Sequence, residues 1–413
     1  MSRNKRIEGI RMNETNKNKT NYGIIAILTI GAILVVSLLY VTIPLLPVLA
    51  EAYGVPQNRL VWAGSGFGFA YAFGTIVFGT WSDRARRRNI LIGGLLVLVL
   101  SSVSVSLSPS VEWLIALRIV QGFIAASFPP VALAYVGDVI HPRLRSVAIS
   151  IISCGFLLAG VLGQLYASAM EQIVSWKGVF DVLAVCYLII AVCLLRLPAG
   201  VVSGDKASVR TVIGRLFGLF RIAPLLATYA VAITLLLSFV AMYSGLGTHI
   251  VDAFGMGGRG LMWIRVAGIP GILMSPLAGQ SIKRFGASKV LITGLIIATA
   301  GIAFEALSTT VFALVVSSVI FVAGISISAP GIIVRISQLA GNARGGAVAL
   351  YSFFVFIGAS IGQILSSSLM HLGFRFLGIT LAAILCAAAL VAWVNSRSQA
   401  TLSMSGGSTR RAS

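Results

Sequence analysis

Twelve apolar runs, each about the length of a membrane-spanning helix, follow one another along this 413-residue chain. A helix needs about 20 apolar residues to cross roughly 30 Å of hydrocarbon. Runs this long and continuous favour helices, which satisfy their own backbone hydrogen bonds, over the alternating strands of a barrel. We therefore predict an all-α membrane protein with twelve transmembrane helices, called spans one to twelve, at residues 22–48, 61–81, 90–108, 112–136, 147–170, 179–196, 222–248, 263–282, 289–307, 310–333, 346–370 and 374–395.

The composition agrees with a membrane protein and excludes several other classes. Hydrophobic residues make up 58% of the chain and charged residues only 10%, whereas soluble proteins are about 25% charged. The net charge of +20 could indicate nucleic-acid binding, but the basic residues lie in short gaps between apolar runs, without the interleaved aromatic residues that stack on bases. The cysteines, histidines and acids form no metal-binding or nucleophilic pattern. We predict no catalytic residues, no metal site, no cofactor and no nucleic-acid partner.

Lysine and arginine also predict the orientation. Most of them lie in the two tails, the middle linker and the alternate gaps that share their side, and such residues mark the cytoplasmic side. The sequence therefore predicts a multi-pass protein of the cytoplasmic (inner) membrane with both termini in the cytoplasm. Its predicted parts are an N-tail at 1–21, a six-helix bundle at 22–196, a cytoplasmic linker at 197–221, a second six-helix bundle at 222–395 and a disordered C-tail at 396–413.

The second half of the chain repeats the first at an offset of about 200 residues. The matched pairs are Gly79 with Gly279, Arg84 with Arg284, Gly94 with Gly294, Pro130 with Pro330, Arg145 with Arg344, Gly163 with Gly362, and Gln164 with Gln363. An offset of six spans preserves orientation, so the halves are parallel repeats related by an axis along the membrane normal. In that arrangement a solute site lies between the halves near the middle of the membrane. Because the two halves enclose their own cavity, a monomer is expected.

The loop between spans two and three carries a recognisable motif. The sequence GTWSDRARRR at 79–88 resembles the signature G-x-x-x-D-R-x-G-R-R of the major facilitator superfamily, with Arg86 in place of the glycine, and GQSIKRFG at 279–286 is a second copy. The resemblance implies the major facilitator fold and a charged contact that closes the cytoplasmic side. It identifies as gating residues Gly79, Asp83, Arg84, Arg88, Arg145, Gly279, Arg284 and Arg344.

Spans four and five suggest the type of transport. The run from Arg118 to Gly122, RIVQG, resembles the R-x-x-Q-G motif of drug/proton antiporters in this superfamily, and the glycines before Gln164 resemble its span-five motif, with Val161 replacing a proline. An arginine inside a membrane span is functional by default, although Arg118 could instead reach the outer surface as an anchor. We predict Arg118 and Glu112 as the proton-coupling residues. The acids otherwise lie near span ends, as Glu305 does.

The substrate site is predicted from polar and aromatic residues inside the spans, which suggest an amphipathic pocket for a small molecule. These residues are Tyr40, Tyr71, Arg118, Gln121, Gln164, Thr234, Tyr243, Tyr351 and Gln363. No phosphate-binding loop of an ATP-driven pump is present. The preferred hypothesis is proton-coupled efflux of an organic solute or drug. The alternatives are a facilitator or proton symporter for a small anionic metabolite, held by Arg118 as a carboxylate clamp, and a non-transporting receptor or scaffold.

Overall fold

The chain is helical throughout the part that its structure, a computed structural model, describes. Among the residues that the structure describes, nine helices are long and apolar enough to cross a membrane, and two further pairs of helices, each bent by 42°, bring that number to eleven. The predicted span eight forms three short helices, so the structure is consistent with twelve spans. The described residues are 21–82, 84–199, 214, 218–256, 259–340 and 344–409.

The helices follow the predicted spans closely. Those of the N-terminal half are Asn21–Ser37 and Thr42–Tyr53 (span one), Gln57–Trp81 (two), Arg87–Ser106 (three), Val111–Ala125 and Pro129–Val139 (four), Pro142–Ile173 (five) and Trp176–Leu195 (six). Those of the C-terminal half are Ala223–Phe254 (seven), Arg259–Val266, Ile269–Ile272 and Ser275–Phe285 (eight), Ala287–Leu307 (nine), Val311–Leu339 (ten), Arg344–Leu369 (eleven) and Phe374–Thr409 (twelve). Following the predicted orientation, we call the end at which span one begins the inner end and the opposite end the outer end.

Span one is broken in its middle, which the sequence analysis did not predict. Its first helix ends at Ser37 and its second begins at Thr42, with a bend of 42° between them. Pro44 has no amide hydrogen, and its ring clashes with the carbonyl four residues earlier, that of Tyr40. The proline therefore accounts for the break, which places Tyr40 and the Leu38 carbonyl on irregular backbone near the middle of the span.

Prolines interrupt one span but not another, and the last helix extends past its predicted span. Span four is interrupted between Ala125 and Pro129, since Pro129 and Pro130 have no amide hydrogen to continue the helix. Span ten, in contrast, continues as one helix through Pro330, because neighbouring groups in membrane proteins can satisfy the backbone that a proline frees. The last helix runs to Thr409 where a disordered tail was predicted, since extending an existing helix avoids the cost of nucleation.

The internal repeat is visible in the packing of equivalent glycines. A Cβ atom added to Gly163 on span five would lie 2.9 Å from the carbonyl oxygen of Ser37 on span one. Its counterpart Gly362 on span eleven presses in the same way against the carbonyl oxygen of Leu237 on span seven. Both the glycines and their neighbours are related by about 200 residues, so the two halves use one packing scheme in which small residues allow close helix contact.

Replacing Gly122 with alanine is expected to destabilise the protein. A Cβ atom at this position would lie 2.8 Å from the Phe67 carbonyl carbon and closer still to its oxygen, and backbone atoms cannot move aside cheaply. Overpacking of this kind costs about 1–3 kcal/mol, which should lower the thermal unfolding temperature of the purified protein. The matched control is Gly137→Ala on the same span, where no atom lies within 4 Å of the added carbon. An equal unfolding temperature for the two variants would contradict this packing.

Candidate functional site

Spans two and eleven bring aromatic side chains of the two halves together. The ring of Tyr71 on span two lies 4.1 Å from the ring of Phe356 on span eleven, measured between centroids. One turn towards the inner end, Phe73 and Phe353 meet edge to face at 5.3 Å. Tyr71 is fully buried and its hydroxyl has no hydrogen-bond partner among the described residues. The predicted substrate residue Tyr71 is therefore part of the interface between the halves.

Two glycines on span two allow this close approach. A Cβ atom at Gly68 would lie 3.5 Å from the Cβ atom of Ser360 on span eleven, and Gly64 lies directly against the side-chain amide of Gln363. Gln363 is buried, and its Nε2 atom has no partner in the described part of the chain. The interface therefore contains an amide that is able to bind a polar group.

A second aromatic contact joins spans one and seven. Tyr40, at the break in span one, meets Phe239 edge to face at 6.2 Å, and Phe239 lies 4.8 Å from Tyr243. A Cβ atom at Gly160 on span five would lie 3.2 Å from the Phe239 ring, so this glycine leaves room for it. Tyr40 also lies within electrostatic range of Tyr71. Three predicted substrate residues, Tyr40, Tyr71 and Tyr243, thus lie at or next to the contact between the halves.

Near the outer end, a hydrogen bond connects the two halves directly. Arg265 on span eight donates from Nη1 to the Ser168 hydroxyl on span five at 2.6 Å, and both side chains are buried. This bond and the contact of Gly64 with Gln363 lie between the middle of the protein and its outer end, whereas the aromatic contacts of span two lie at the middle or inward of it. The described conformation is therefore closed at the outer end.

The arginines of the inner end bind groups of their own half. Arg88 donates to the Leu197 carbonyl at the end of span six at 2.7 Å, and Arg145 donates to the Ile140 carbonyl at 3.0 Å. Arg87 forms an ion pair with Asp138 at 2.5 Å, a contact that the sequence analysis missed. None of these three bonds crosses between the halves.

The other predicted gating residues contribute less. Arg284 stacks on the neighbouring Phe285 ring at 5.1 Å, and Gly79 and Gly279 have open space where a side chain would lie. Asp83 and the side chain of Arg344 lie outside the described residues. The gating roles of these residues remain a prediction.

Arg118 is completely buried and connects three spans. Its guanidinium group donates to the Leu38 carbonyl at the break in span one (2.7 Å), to the Ala63 carbonyl on span two (3.2 Å) and to Gln121 Oε1 (2.6 Å). It also lies 4.3 Å from the centre of the Phe67 ring. Such bonds to a charged donor are worth about 1.5–3 kcal/mol each. The alternative role of Arg118, as an anchor at the outer surface, does not fit this buried position.

The amide of Gln121 extends this network. Its Nε2 atom donates to the Ser102 hydroxyl on span three at 2.8 Å while its oxygen accepts from Arg118. Both side chains are fully buried, so neither lines an open cavity in this conformation. Arg118 and Gln121 therefore fix the geometry of the N-terminal half and hold the break in span one.

The structure does not bring Glu112 and Arg118 together, which corrects the predicted proton-coupling pair. Glu112 forms an ion pair with Arg59 at 2.9 Å, and the two side chains are 65% and 59% exposed. Glu112 lies in the first turn of span four at the outer surface, six residues and about 120° of helix rotation away from Arg118. Because Glu112 is exposed, it is not a partner of the buried Arg118 guanidinium.

Three further predicted substrate residues are bound mainly to their own helices or are only partly buried. Gln164 donates to the Gly160 carbonyl at 2.8 Å, but its Oε1 atom is buried and has no partner in the described part. The Thr234 hydroxyl donates to the Val231 carbonyl at 2.8 Å, and Tyr351 is partly buried on span eleven. Of these, Gln164 retains a free acceptor for a ligand.

The family of the chain follows from comparison with known proteins. The model of the Major Facilitator Superfamily matches residues 28–274 and 249–407, which together span nearly the whole chain. The chain belongs to this superfamily. Its members are transporters, and the resemblance found in the loop at 79–88 is confirmed.

Individual relatives of this superfamily member are distant. The MFS-type transporter YybF of Bacillus subtilis (strain 168) is 24% identical over 353 residues, covering 83% of this chain and 85% of that protein. The multidrug resistance protein MdtM of Salmonella typhimurium is 31% identical over 196 residues, or 46% of each chain. The crystal structure of a bacterial homologue of the human lysosomal transporter Spinster superposes with a TM-score of 0.74 at 15% identity, covering 92% of this chain and 97% of that one. This last match shows the fold.

Among the described residues, three buried charged side chains were not predicted as site residues: Glu305, Arg265 and Arg335. Glu305 lies in the last turn of span nine, near a span end as expected, but its side chain is only 1% exposed. Arg265, inside the predicted span eight, is 2% exposed. An acid inside the apolar run GIAFEAL was the available signal, since a charge there must face the protein interior.

One apolar groove of about 430 Å³ lies between spans one, five and six. It belongs to the N-terminal half alone, and none of the predicted substrate residues lines it. It is therefore a poor candidate for a path that must pass between the halves.

Proposed function

We propose that this superfamily member exports a small organic solute or drug across the cytoplasmic membrane by alternating access, in exchange for protons. The observation that supports it most is the interface described above, where Tyr40 and Tyr71 of one half meet Phe239 and Phe356 of the other. Groups from both halves can bind one solute, and rocking the halves then exposes it to either side.

The chemistry of this interface favours amphipathic or cationic solutes. Aromatic faces attract organic cations through their quadrupole, by about 0.5–2 kcal/mol per ring, and the free amide atoms of Gln164 and Gln363 provide polar contacts. The partial similarity to MdtM, a multidrug resistance protein, agrees with drug efflux.

The alternative, a transporter for a small anion clamped by Arg118, has less support. In this conformation all three nitrogens of the Arg118 guanidinium already donate to protein oxygens, and the side chain is fully buried. An anion could reach it only after those bonds break. We therefore assign Arg118 to positioning span one and not to direct solute binding.

The proposal includes the orientation and the inner gate. Both termini lie in the cytoplasm, the protein acts as a monomer in the bilayer, and the charged residues of the loops at 79–88 and 279–286 join the halves at the inner end when the outer end opens. When the loops join the halves, Arg88 exchanges its present hydrogen bond to the Leu197 carbonyl for a contact with the other half.

Transport by purified protein in vesicles tests the proposal. The vesicles are loaded to be acidic inside, with the inner end of the protein outwards, and receive either ethidium, a lipophilic cation, or salicylate, an aromatic anion. We expect ethidium to enter and the internal pH to rise, because each solute molecule exchanges for protons; empty vesicles serve as the control. Solute uptake without a pH change would support a facilitator, and salicylate uptake together with protons would support the symporter.

A further inference from the structure

Four buried polar side chains from four spans of the C-terminal half converge near the outer end. They are Tyr243 on span seven, Arg265 on span eight, Glu305 on span nine and Ser318 on span ten. Each is at most 2% exposed, and Tyr243 lies within electrostatic range of the other three. Both carboxylate oxygens of Glu305 have no hydrogen-bond partner among the described residues.

The backbone beside this cluster is irregular. Span eight is interrupted between Val266 and Ile269, and Gly268 at the interruption lies against the Tyr243 hydroxyl, where a side chain would collide with it. Non-helical backbone at membrane depth is tolerated where it is buried in protein or lines a pathway, and broken helices form the ion sites of many transporters. The break is thus a second observation that marks this place as a site.

The repeat places a small residue in this cluster where the other half has a large cation. Ser318 occupies the position on span ten that Arg118 occupies on span four, at an offset of 200 residues. In the N-terminal half the large guanidinium fills this position and uses its donors on neighbouring spans. In the C-terminal half the small hydroxyl leaves Glu305 without a bound cation.

Arg265, the cation that shares the neighbour Tyr243 with Glu305, is bound to the other half. It donates to Ser168 at 2.6 Å across the interface, while the Glu305 oxygens accept no hydrogen bond in the described part of the chain. An ionised carboxylate without a partner is costly inside a protein. Ionised Glu305 therefore competes with Ser168 for the Arg265 guanidinium.

We propose that Glu305 is the group that carries the proton, and that Arg265 connects its protonation to opening of the outer end. This rests on the proposed proton-coupled function. With a proton on its carboxylate, Glu305 releases Arg265 to Ser168 and the outer end is closed. When the proton leaves towards the inside, Glu305 draws Arg265 away from Ser168 and the outer end opens.

Other ionisable groups near the outer end of the neighbouring spans do not replace Glu305 in this role. Asp252 on span seven and Arg375 on span twelve are exposed. His249 on span seven stacks on Phe374 at 4.5 Å. The buried cluster therefore contains Glu305 as its only carboxyl among the described residues.

A distance measurement without any solute tests the proposal. Spin labels are attached at Asn58→Cys and Leu372→Cys, which lie on opposite halves at the outer ends of spans two and eleven and are exposed. The four native cysteines are replaced by alanine, and the protein is placed in lipid nanodiscs in potassium buffer. For one proton, the ratio of long to short distances should rise with pH by up to about tenfold per pH unit.

Three variants show whether the pH response comes from Glu305 and Arg265 or from another group. Glu305→Gln, neutral and of the same shape, should stay at the short distance at every pH, and Ser168→Ala should raise the long-distance population at low pH. Glu171→Gln, the same change at a different outer-end acid, should behave as the wild type. A pH response that survives Glu305→Gln, or a shift caused by replacing potassium with sodium, would overturn the proposal. Because no transport is measured, failure of the proposed function would leave this result unchanged.

Discussion

Replacing Arg118 with alanine is expected to reduce transport to the level of empty vesicles and to lower the thermal unfolding temperature. The substitution leaves the carbonyls of Leu38 and Ala63 and the amide oxygen of Gln121 without their donor. A buried polar group that loses its partner costs about 1–3 kcal/mol. The Leu38 carbonyl lies at the break of span one. Losing its hydrogen bond to Arg118 should displace Tyr40, two residues later, and disrupt the contact between Tyr40 and Phe239.

Replacing Arg118 with lysine separates the effect of the positive charge from the effect of the hydrogen-bond geometry. The Arg118→Lys variant keeps a positive charge but lacks the planar guanidinium group, so it cannot donate to all three acceptors of Arg118. Losing even one charged hydrogen bond of about 1.5–3 kcal/mol corresponds to roughly 10–150-fold, so we expect a transport rate at least about tenfold below the wild type. Arg196→Ala, an exposed arginine at the inner end, is the control and should transport normally. Wild-type rates in Arg118→Ala would contradict a positioning role.

The fold could be predicted from the sequence because its determinants are local or periodic. The hydrocarbon thickness sets the length of each apolar run, and matched pairs such as Gly163 and Gly362 revealed the two halves. Packing then confirmed the pairing, since both glycines press on equivalent carbonyl oxygens. Length, charge and repetition are properties of the chain itself and do not depend on which residues are in contact in the folded protein.

The breaks in spans one and eight were harder to predict. Pro44 and the Gly268–Pro270 segment are visible in the sequence, but Pro330 shows that a proline in a membrane helix need not interrupt it. Whether the helix breaks depends on which neighbours satisfy the freed backbone groups. In span one that neighbour is Arg118, which is 80 residues away along the chain.

The partners of the charged residues could not be predicted for the same reason. Arg118 and Glu112 share a span, yet one is buried against spans one and two and the other pairs with Arg59 at the surface. Glu305 lies near the end of its helix in sequence but faces neighbouring spans in space. Position along a helix gives the depth of a residue, whereas its partners depend on how distant spans pack.

A covalent link between the halves should stop transport, because alternating access requires them to separate at the outer end. Gly68 and Ser360 lie on opposite halves, and their Cβ atoms would be 3.5 Å apart, within the range of about 3.5–4.5 Å found in disulfides. A side chain added at Gly68 would collide with the Ser360 hydroxyl. In the double cysteine protein a disulfide bond replaces that contact. The pair Gly68→Cys and Ser360→Cys should therefore oxidise readily in the described conformation.

A control pair keeps the link inside one half. A Cβ atom at Gly94 on span three would lie 3.2 Å from that of Ser127, between spans three and four. Oxidising Gly94→Cys with Ser127→Cys should leave transport largely intact, because rocking moves each half as one body. Both pairs are made in protein that lacks the four native cysteines.

The most direct test is ethidium transport by the Gly68→Cys, Ser360→Cys protein in vesicles, measured reduced, oxidised and reduced again. We predict transport in the reduced protein, its loss on oxidation and its recovery with a reducing agent, while the Gly94→Cys, Ser127→Cys protein stays active throughout. Undiminished transport by the fully oxidised Gly68→Cys, Ser360→Cys protein would show that the halves need not separate there, and would contradict alternating access through this interface.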